Sequence, residues 1–277
     1  MPRKPLHPSP RPACGRAATL RRLVALLGMG LVLAVPGFFQ PGPVKAEPAG
    51  RPAASAGQAA KSDLPPGARE EAARYRKAAQ AGNAEAQYKL GKVYDDLHDK
   101  TQAAKWYRKA AEQAHVLACR NLGLLYYTGE GVPQNRAEAA VWFRKAAEHG
   151  DDACCMTLSS MYYNGIGVPR NMAQAAAWMR KAAERNYPVA QYALSLVYET
   201  GDGLPQDRKK ALEWLLKAAE NRHADAMLAL SRKYAEGDGL PRDREKAQEW
   251  LTRAAAYGQP EAQYELGLRS SPDKDAQ

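Results

Sequence analysis

From Ala84 onward the chain alternates between two apolar patterns, both with helical spacing. The first reads Ala-x-x-x-Leu-(Gly/Ser)-x-x-Tyr. Its leucines are Leu90, Leu122, Leu158, Leu194, Leu230 and Leu266, and Tyr94, Tyr126, Tyr162, Tyr198 and Tyr234 fall four after the first five. Steps of three and four residues put these side chains on one stripe of a helix. The second pattern reads Ala-x-x-Trp-x-x-Lys-Ala-Ala. It places Ala103, Ala139, Ala175, Ala211 and Ala247 three before Trp106, Trp142, Trp178, Trp214 and Trp250. Lys109, Lys145, Lys181 and Lys217 each open a Lys-Ala-Ala step, and Arg253 stands at the fifth. Successive tryptophans are 36 residues apart, and a period of this size means stacked small units, each closing its apolar face on the next. Small residues at fixed places let the helices approach, and the indole is expected to fill the space between them.

Gly-x-Gly-(Val/Leu)-Pro joins the two patterns at Gly129–Pro133, Gly165–Pro169, Gly201–Pro205 and Gly237–Pro241. The glycines suit positive φ, and the proline stops the first helix. Asp99, Asn135, Asn171, Asp207 and Asp243 stand seven before a Trp, where they would cap the second helix. The first unit departs from the rule, with Asp95-Asp96-Leu97-His98 in place of the glycine loop. Lys77-Ala78-Ala79 is a further second-helix remnant. The expected array is a capping helix near 69–81, five helix pairs, and a last first-type helix near 259–269. The fold class is therefore all-α: a right-handed α/α solenoid of about five helix-turn-helix repeats of 36 residues, with capping helices.

The segments before and after this array read differently. A basic stretch to Arg22, an apolar stretch from Leu23 to Val35, a break at Pro36-Gly37 and Val44-Lys45-Ala46 describe an export signal over residues 1–46, with cleavage before Glu47. The apolar stretch is short of the roughly 20 residues of a membrane span. An uncleaved anchor lengthened by Phe38 and Phe39 is the alternative. Residues 47–68, rich in Ala, Pro and Gly, read as a flexible linker, and 271–277 as a disordered tail. Charge follows the same division. Of the 40 basic residues seven lie in 1–46, where no acidic residue does. The rest is close to neutral, so the net charge of +10 is no sign of nucleic-acid binding. The leader places the protein in the periplasm or outside the cell, with no membrane contact beyond the export signal.

The motifs Ala-x-x-x-Leu-Gly-x-x-Tyr, Gly-x-Gly-Val-Pro and Ala-x-x-Trp-x-x-Lys-Ala-Ala at 36-residue spacing resemble Sel-one-like repeats, relatives of the tetratricopeptide repeat, over roughly residues 84–270. The resemblance implies scaffolding and protein–protein contact. It also bears on Cys119 and Cys155, which share one repeat position. Cysteine-rich secreted members bridge a cysteine there to one eight residues earlier. Ala111 and Ala147 hold those earlier positions here, so that bridge cannot form. Buried thiols, Cys154 included, are the expected state, and a metal site from Cys154, Cys155 and His149 is the alternative.

Some relatives are linked to β-lactamase-like activity, which makes a cell-wall amide hydrolase the enzymatic alternative. Ser271-Pro272-Asp273-Lys274 has Ser-x-x-Lys spacing but sits in the polar tail, whereas a catalytic Ser-x-x-Lys opens a structured helix. No catalytic residue and no cofactor is assigned. The expected function is that of an exported, non-enzymatic scaffold binding a protein or peptide partner in the groove of its first helices, or, as a variant, of an assembly factor for envelope or secretion machinery. Positions beside the fixed leucines vary from unit to unit and are free to read a partner. The groove residues so chosen are Tyr88, Arg120, Leu124, Tyr127, Met156, Tyr163, Tyr192, Leu196 and Arg232, with Asp95 and Glu199 helping to set register.

Overall fold

The computed structural model describes residues 66–270. The export signal, most of the linker, the tail and the Ser271–Lys274 motif lie outside the described residues. Within them there are twelve helices and no strand. The first-type, or A, helices are α2 (Ala84–Asp96), α4 (Val116–Thr128), α6 (Asp152–Asn164), α8 (Pro188–Thr200), α10 (Ala224–Glu236) and α12 (Pro260–Ser270). The second-type, or B, helices are α1 (Pro66–Gln80), α3 (Lys100–Glu112), α5 (Arg136–Glu148), α7 (Met172–Glu184), α9 (Arg208–Glu220) and α11 (Arg244–Ala256). The solenoid architecture is as the periodicity predicts. The capping helix begins at Pro66, inside the expected linker, because proline suits the first helical position.

The described residues form two units, 66–161 with 165–169, and 162–164 with 170–270. In the first, each helix from α1 to α5 packs on the next in sequence; in the second the same holds from α7 to α12. The predicted caps are in place. Asp99, Asn135, Asn171, Asp207 and Asp243 each accept the backbone N–H three residues on, at 3.0 Å. Among the A-helices, Asn83, His115, Asp151 and His223 do the same.

One expectation is corrected. The space between paired helices is filled by the residue after each Trp, not by the Trp. Tyr107, Phe143, Met179, Leu215 and Leu251 are at most 3% exposed, whereas among the tryptophans only Trp142 is buried. The indoles sit at the edge of the pair, where a cation one turn on covers each face: Lys109, Lys145, Lys181 and Lys217 at 4.2–4.9 Å from the ring centre, and Arg253 at 4.8 Å. Edge position suits a side chain with an apolar body and a polar tip.

The A-helix is cut to fit the residue that fills this space. A Cβ added to Gly91 would lie 2.7 Å from Cδ1 of Tyr107, and one on Gly123 2.7 Å from Cε1 of Phe143. Where the B-helix residue is the smaller Leu215 or Leu251, the matching A-helix residue is Ser195 or Ser231.

A second row ties five of the six A-helices to the C-terminal end of the preceding B-helix; on α10 the position is Met227. Nε2 of Gln87, Gln191 and Gln263 donates to the carbonyls of Ala79, Ala183 and Ala255 at 3.0–3.2 Å. Cys119 and Cys155 occupy the same row, and their Sγ atoms donate to the carbonyls of Ala111 and Ala147 at 3.6 and 3.8 Å. The alanines that replace the family's second cysteine thus supply a carbonyl acceptor to the thiol, and Cys119, Cys154 and Cys155 are buried outside any disulfide.

Candidate functional site

On α4 the residues Leu117, Arg120, Leu124 and Tyr127 follow one another by three, four and three positions. They form one stripe on the side of the helix away from its leucine row. Leu117 is 39% exposed, and Leu124 and Tyr127 are half-buried. The Arg136 guanidinium lies 5.6 Å from the Tyr127 ring centre. On α8 of the second unit the same stripe is Val189, Tyr192, Leu196 and Glu199, all but Glu199 apolar or aromatic and each half-buried. Leu117 and Val189 belong to a row five before the leucines that the sequence reading passed over. The signal for it was present: in this row Glu85 and Asp225 flank Leu117, Ala153 and Val189.

Several of the expected partner-reading residues are engaged within the chain. The row two before the leucines meets the N-cap of the next A-helix. Tyr88 stacks on His115, ring centres 4.6 Å apart, and Tyr192 lies on His223 at 4.7 Å. Arg120 takes Asp151: its Nε is 2.6 Å from Oδ2 and its Nη2 reaches the same oxygen. Asp151 also caps α6, accepting the Cys154 N–H at 2.9 Å, and its side chain is fully buried. A buried carboxylate needs such a partner, since an uncompensated one is costly. Met156 is 4% exposed and belongs to the core rather than to an accessible surface.

The polar residues of the second unit are paired as well. Tyr163 donates to Asp202 at 2.8 Å. Arg232 is exposed and binds Glu261 and Glu265 of α12 at 2.6 and 2.9 Å. Glu199 binds Lys233 at 2.9 Å, which also reaches Asp238 at 3.0 Å. In the first unit Asp95 accepts from Lys100 at 2.5 Å and from the Tyr107 hydroxyl at 3.2 Å. The Tyr163, Glu199 and Arg232 contacts hold one repeat to the next, and those of Asp95 join the two helices of the first repeat.

The titration of the buried groups points away from nucleophilic chemistry. Burial pushes the Cys154 thiol well above its ordinary value, which keeps it protonated, and raises the Cys119 thiol. Burial also raises Tyr88, and Tyr192 to about 12. His223 is held below the usual imidazole value by burial, against the pull of Asp225. Its Nδ1 accepts the Ala226 N–H at 3.2 Å, so the neutral ring with its proton on Nε2 is the capping form. No group of three or more His, Cys, Asp or Glu side chains could hold a metal ion among the described residues. His149 is exposed while Cys154 and Cys155 are buried.

A family model described as the Sel1 repeat matches residues 84–115, 116–151, 153–187, 188–223 and 224–258. Among solved structures, a protective antigen present in uropathogenic Escherichia coli strains, displaying an SLR fold, is 35% identical, with a TM-score of 0.63. The match covers 73% of this chain and 45% of that one. A Sel1 repeat protein from Oxalobacter formigenes is 32% identical, with a TM-score of 0.61, over 72% of this chain and 88% of that one. No curated protein matches.

Proposed function

The chain belongs to the Sel1 repeat family, whose members generally act as protein-interaction scaffolds, and on that premise we propose that it is an exported, non-enzymatic adaptor whose A-helices bind an extended segment of a partner protein. The observation that carries this reading is the α4 stripe: Leu117, Leu124 and Tyr127 are left partly open on a helix whose opposite side is core. Its charged neighbours on that side are already paired, so affinity comes from apolar burial. An aromatic and two leucines on one helix suit a partner that inserts apolar side chains. Export rests on the leader, and the compartment is the periplasm or the cell exterior.

The experiment uses the double variant Leu117→Asp with Leu124→Asp. Both side chains are partly open, so the variant keeps its helical spectrum and melting midpoint. Recovery of captured proteins from a periplasmic extract is expected to fall at least tenfold relative to the unaltered chain. Equal recovery from the folded variant overturns the groove. For export, mass spectrometry of the protein from fractionated cells is expected to find an N-terminus at Glu47 in the periplasmic fraction or medium; an intact Met1 in the cytoplasm overturns it.

A further inference from the structure

In the second unit the A-helices and the B-helices differ in the sign of their charge. α8, α10 and the glycine loops that follow them, 201–205 and 237–241, hold five carboxylates, Glu199, Asp202, Asp225, Glu236 and Asp238, and two cations, Arg232 and Lys233. The B-helices α9 and α11 hold seven cations and four carboxylates.

The two cations leave the A-helix side acidic. Arg232 is turned to Glu261 and Glu265 of α12, at 2.6 and 2.9 Å. Lys233 is shared by Glu199 and Asp238, at 2.9 and 3.0 Å. Asp202 and Asp225 are met by neutral donors, the Tyr163 hydroxyl at 2.8 Å and the Gln259 amide at 3.4 Å. Glu236 is exposed.

These carboxylates border an apolar stripe. Val189, Tyr192 and Leu196 of α8 are half-buried, on the side of the helix away from Leu194. Glu199 ends the stripe, and Asp225 of α10 stands in the row of Val189. Both charges reach it: burial is the first cause that raises the Tyr192 hydroxyl, Asp225 and Glu199 add to it, and Arg232 opposes them. From Val189 to Glu199 the helix runs about 15 Å, the length of four or five extended residues.

We propose that this face of α8 and α10 holds a basic, apolar segment of the partner, in which Lys or Arg alternates with aliphatic side chains. The inference rests on the reading that the A-helices are the binding side, and it names the chemistry that the second unit selects. Aliphatic side chains of the segment cover Val189, Tyr192 and Leu196. The stems of its Lys and Arg residues lie along the same stripe while their charged heads reach the carboxylates at its border. An acidic segment would set like charges against Glu199 and Asp225, so the rim rejects as well as attracts.

Fluorescence anisotropy of the full chain with a labelled nonapeptide of alternating lysine and leucine tests it. The contact is small, and a dissociation constant of roughly 10–100 µM is expected. Glutamate in place of the lysines, or serine in place of the leucines, is expected to weaken binding at least tenfold. In the protein, Glu199→Gln with Asp225→Asn is expected to weaken it at least fivefold with the helical spectrum retained. Glu213→Gln with Glu249→Gln, at exposed positions of the B-helices, is expected to leave it unchanged. Equal binding of the lysine and glutamate peptides overturns the proposal, as does binding that survives serine for leucine or that falls equally in the two double variants. The Leu117→Asp, Leu124→Asp variant is expected to keep the peptide. If the unaltered chain fails to bind the peptide while its capture of proteins still depends on Leu117 and Leu124, the basic segment is overturned and the scaffold reading stands.

Discussion

The ring of Tyr107 rests on the α-carbon of Gly91 with no room between them for a methyl group. Both residues are buried, so neither can step aside into solvent. Gly91→Ala is expected to destabilise the first repeat by about 1–3 kcal/mol through overpacking. Adding Tyr107→Leu, with serine at position 91, recreates the pairing found at Ser195 and Leu215. It should recover at least half of that loss in the denaturant midpoint. Additive losses in the double variant would show that the notch and the ring are not coupled.

The half-buried indoles and the residues that follow them separate in the same measurement. Phe143→Ala empties a site that is 1% exposed and is expected to cost about 3–5 kcal/mol. Trp178→Ala removes a ring that is only partly covered, with Lys181 above it at 4.9 Å, and is expected to cost less than half as much. Equal losses would return the tryptophan to the core.

Arg120 and Arg232 stood together as groove residues, and the structure gives them different work. Arg120→Ala strands the buried Asp151 carboxylate and is expected to cost about 3–5 kcal/mol of stability. Arg232→Ala breaks exposed pairs and is expected to cost less than about 1 kcal/mol. Chemical denaturation of the two variants side by side checks this, and similar midpoints would contradict it.

The His223 cap gives stability a pH dependence with a definite sign. In the unfolded chain the ring takes up a proton near its ordinary value of about 6.5. In the fold, burial holds its affinity below that. The stabilisation is therefore full above about pH 6.5 and is lost as pH falls through the lower folded-state value. Protonation of Nδ1 would also end its hydrogen bond from Ala226, a cap worth about 1 kcal/mol. His223→Asn keeps a capping acceptor without a titration, and it is expected to flatten the fall in melting temperature between pH 7 and 5. An unchanged slope would place the titrating group elsewhere.

The fold could be read from the chain because the period repeats in every unit: one misread position is outvoted by five others. The caps Asp99, Asn135, Asn171, Asp207 and Asp243 and the glycine loops were legible for the same reason. The face of the A-helices was legible only in part. Variation at Tyr88, Arg120 and Tyr192 looked like freedom to read a partner. Instead it tracks the N-caps His115, Asp151 and His223, each of which changes with the residue it meets. Pairing of that kind has no fixed letter and so leaves no row in a repeat alignment. The expectation that the recurrent tryptophans fill the core failed for a related reason. Recurrence marks a residue as structural, but does not say which side of the helix it faces.

The glycine loops carry one consequence further along the array. A side chain at Gly131 or Gly167 would run into the carbonyl of Lys100 or Arg136 at the start of the B-helix one repeat earlier; at Gly203 the nearest such atom, the Met172 oxygen, is 3.1 Å away, and at Gly239 there is none within 4 Å. The seam between modules is therefore tight at its N-terminal end and slack at its C-terminal end. Mechanical pulling or thermal breathing should start at the slack end, and new modules would be easiest to splice in there.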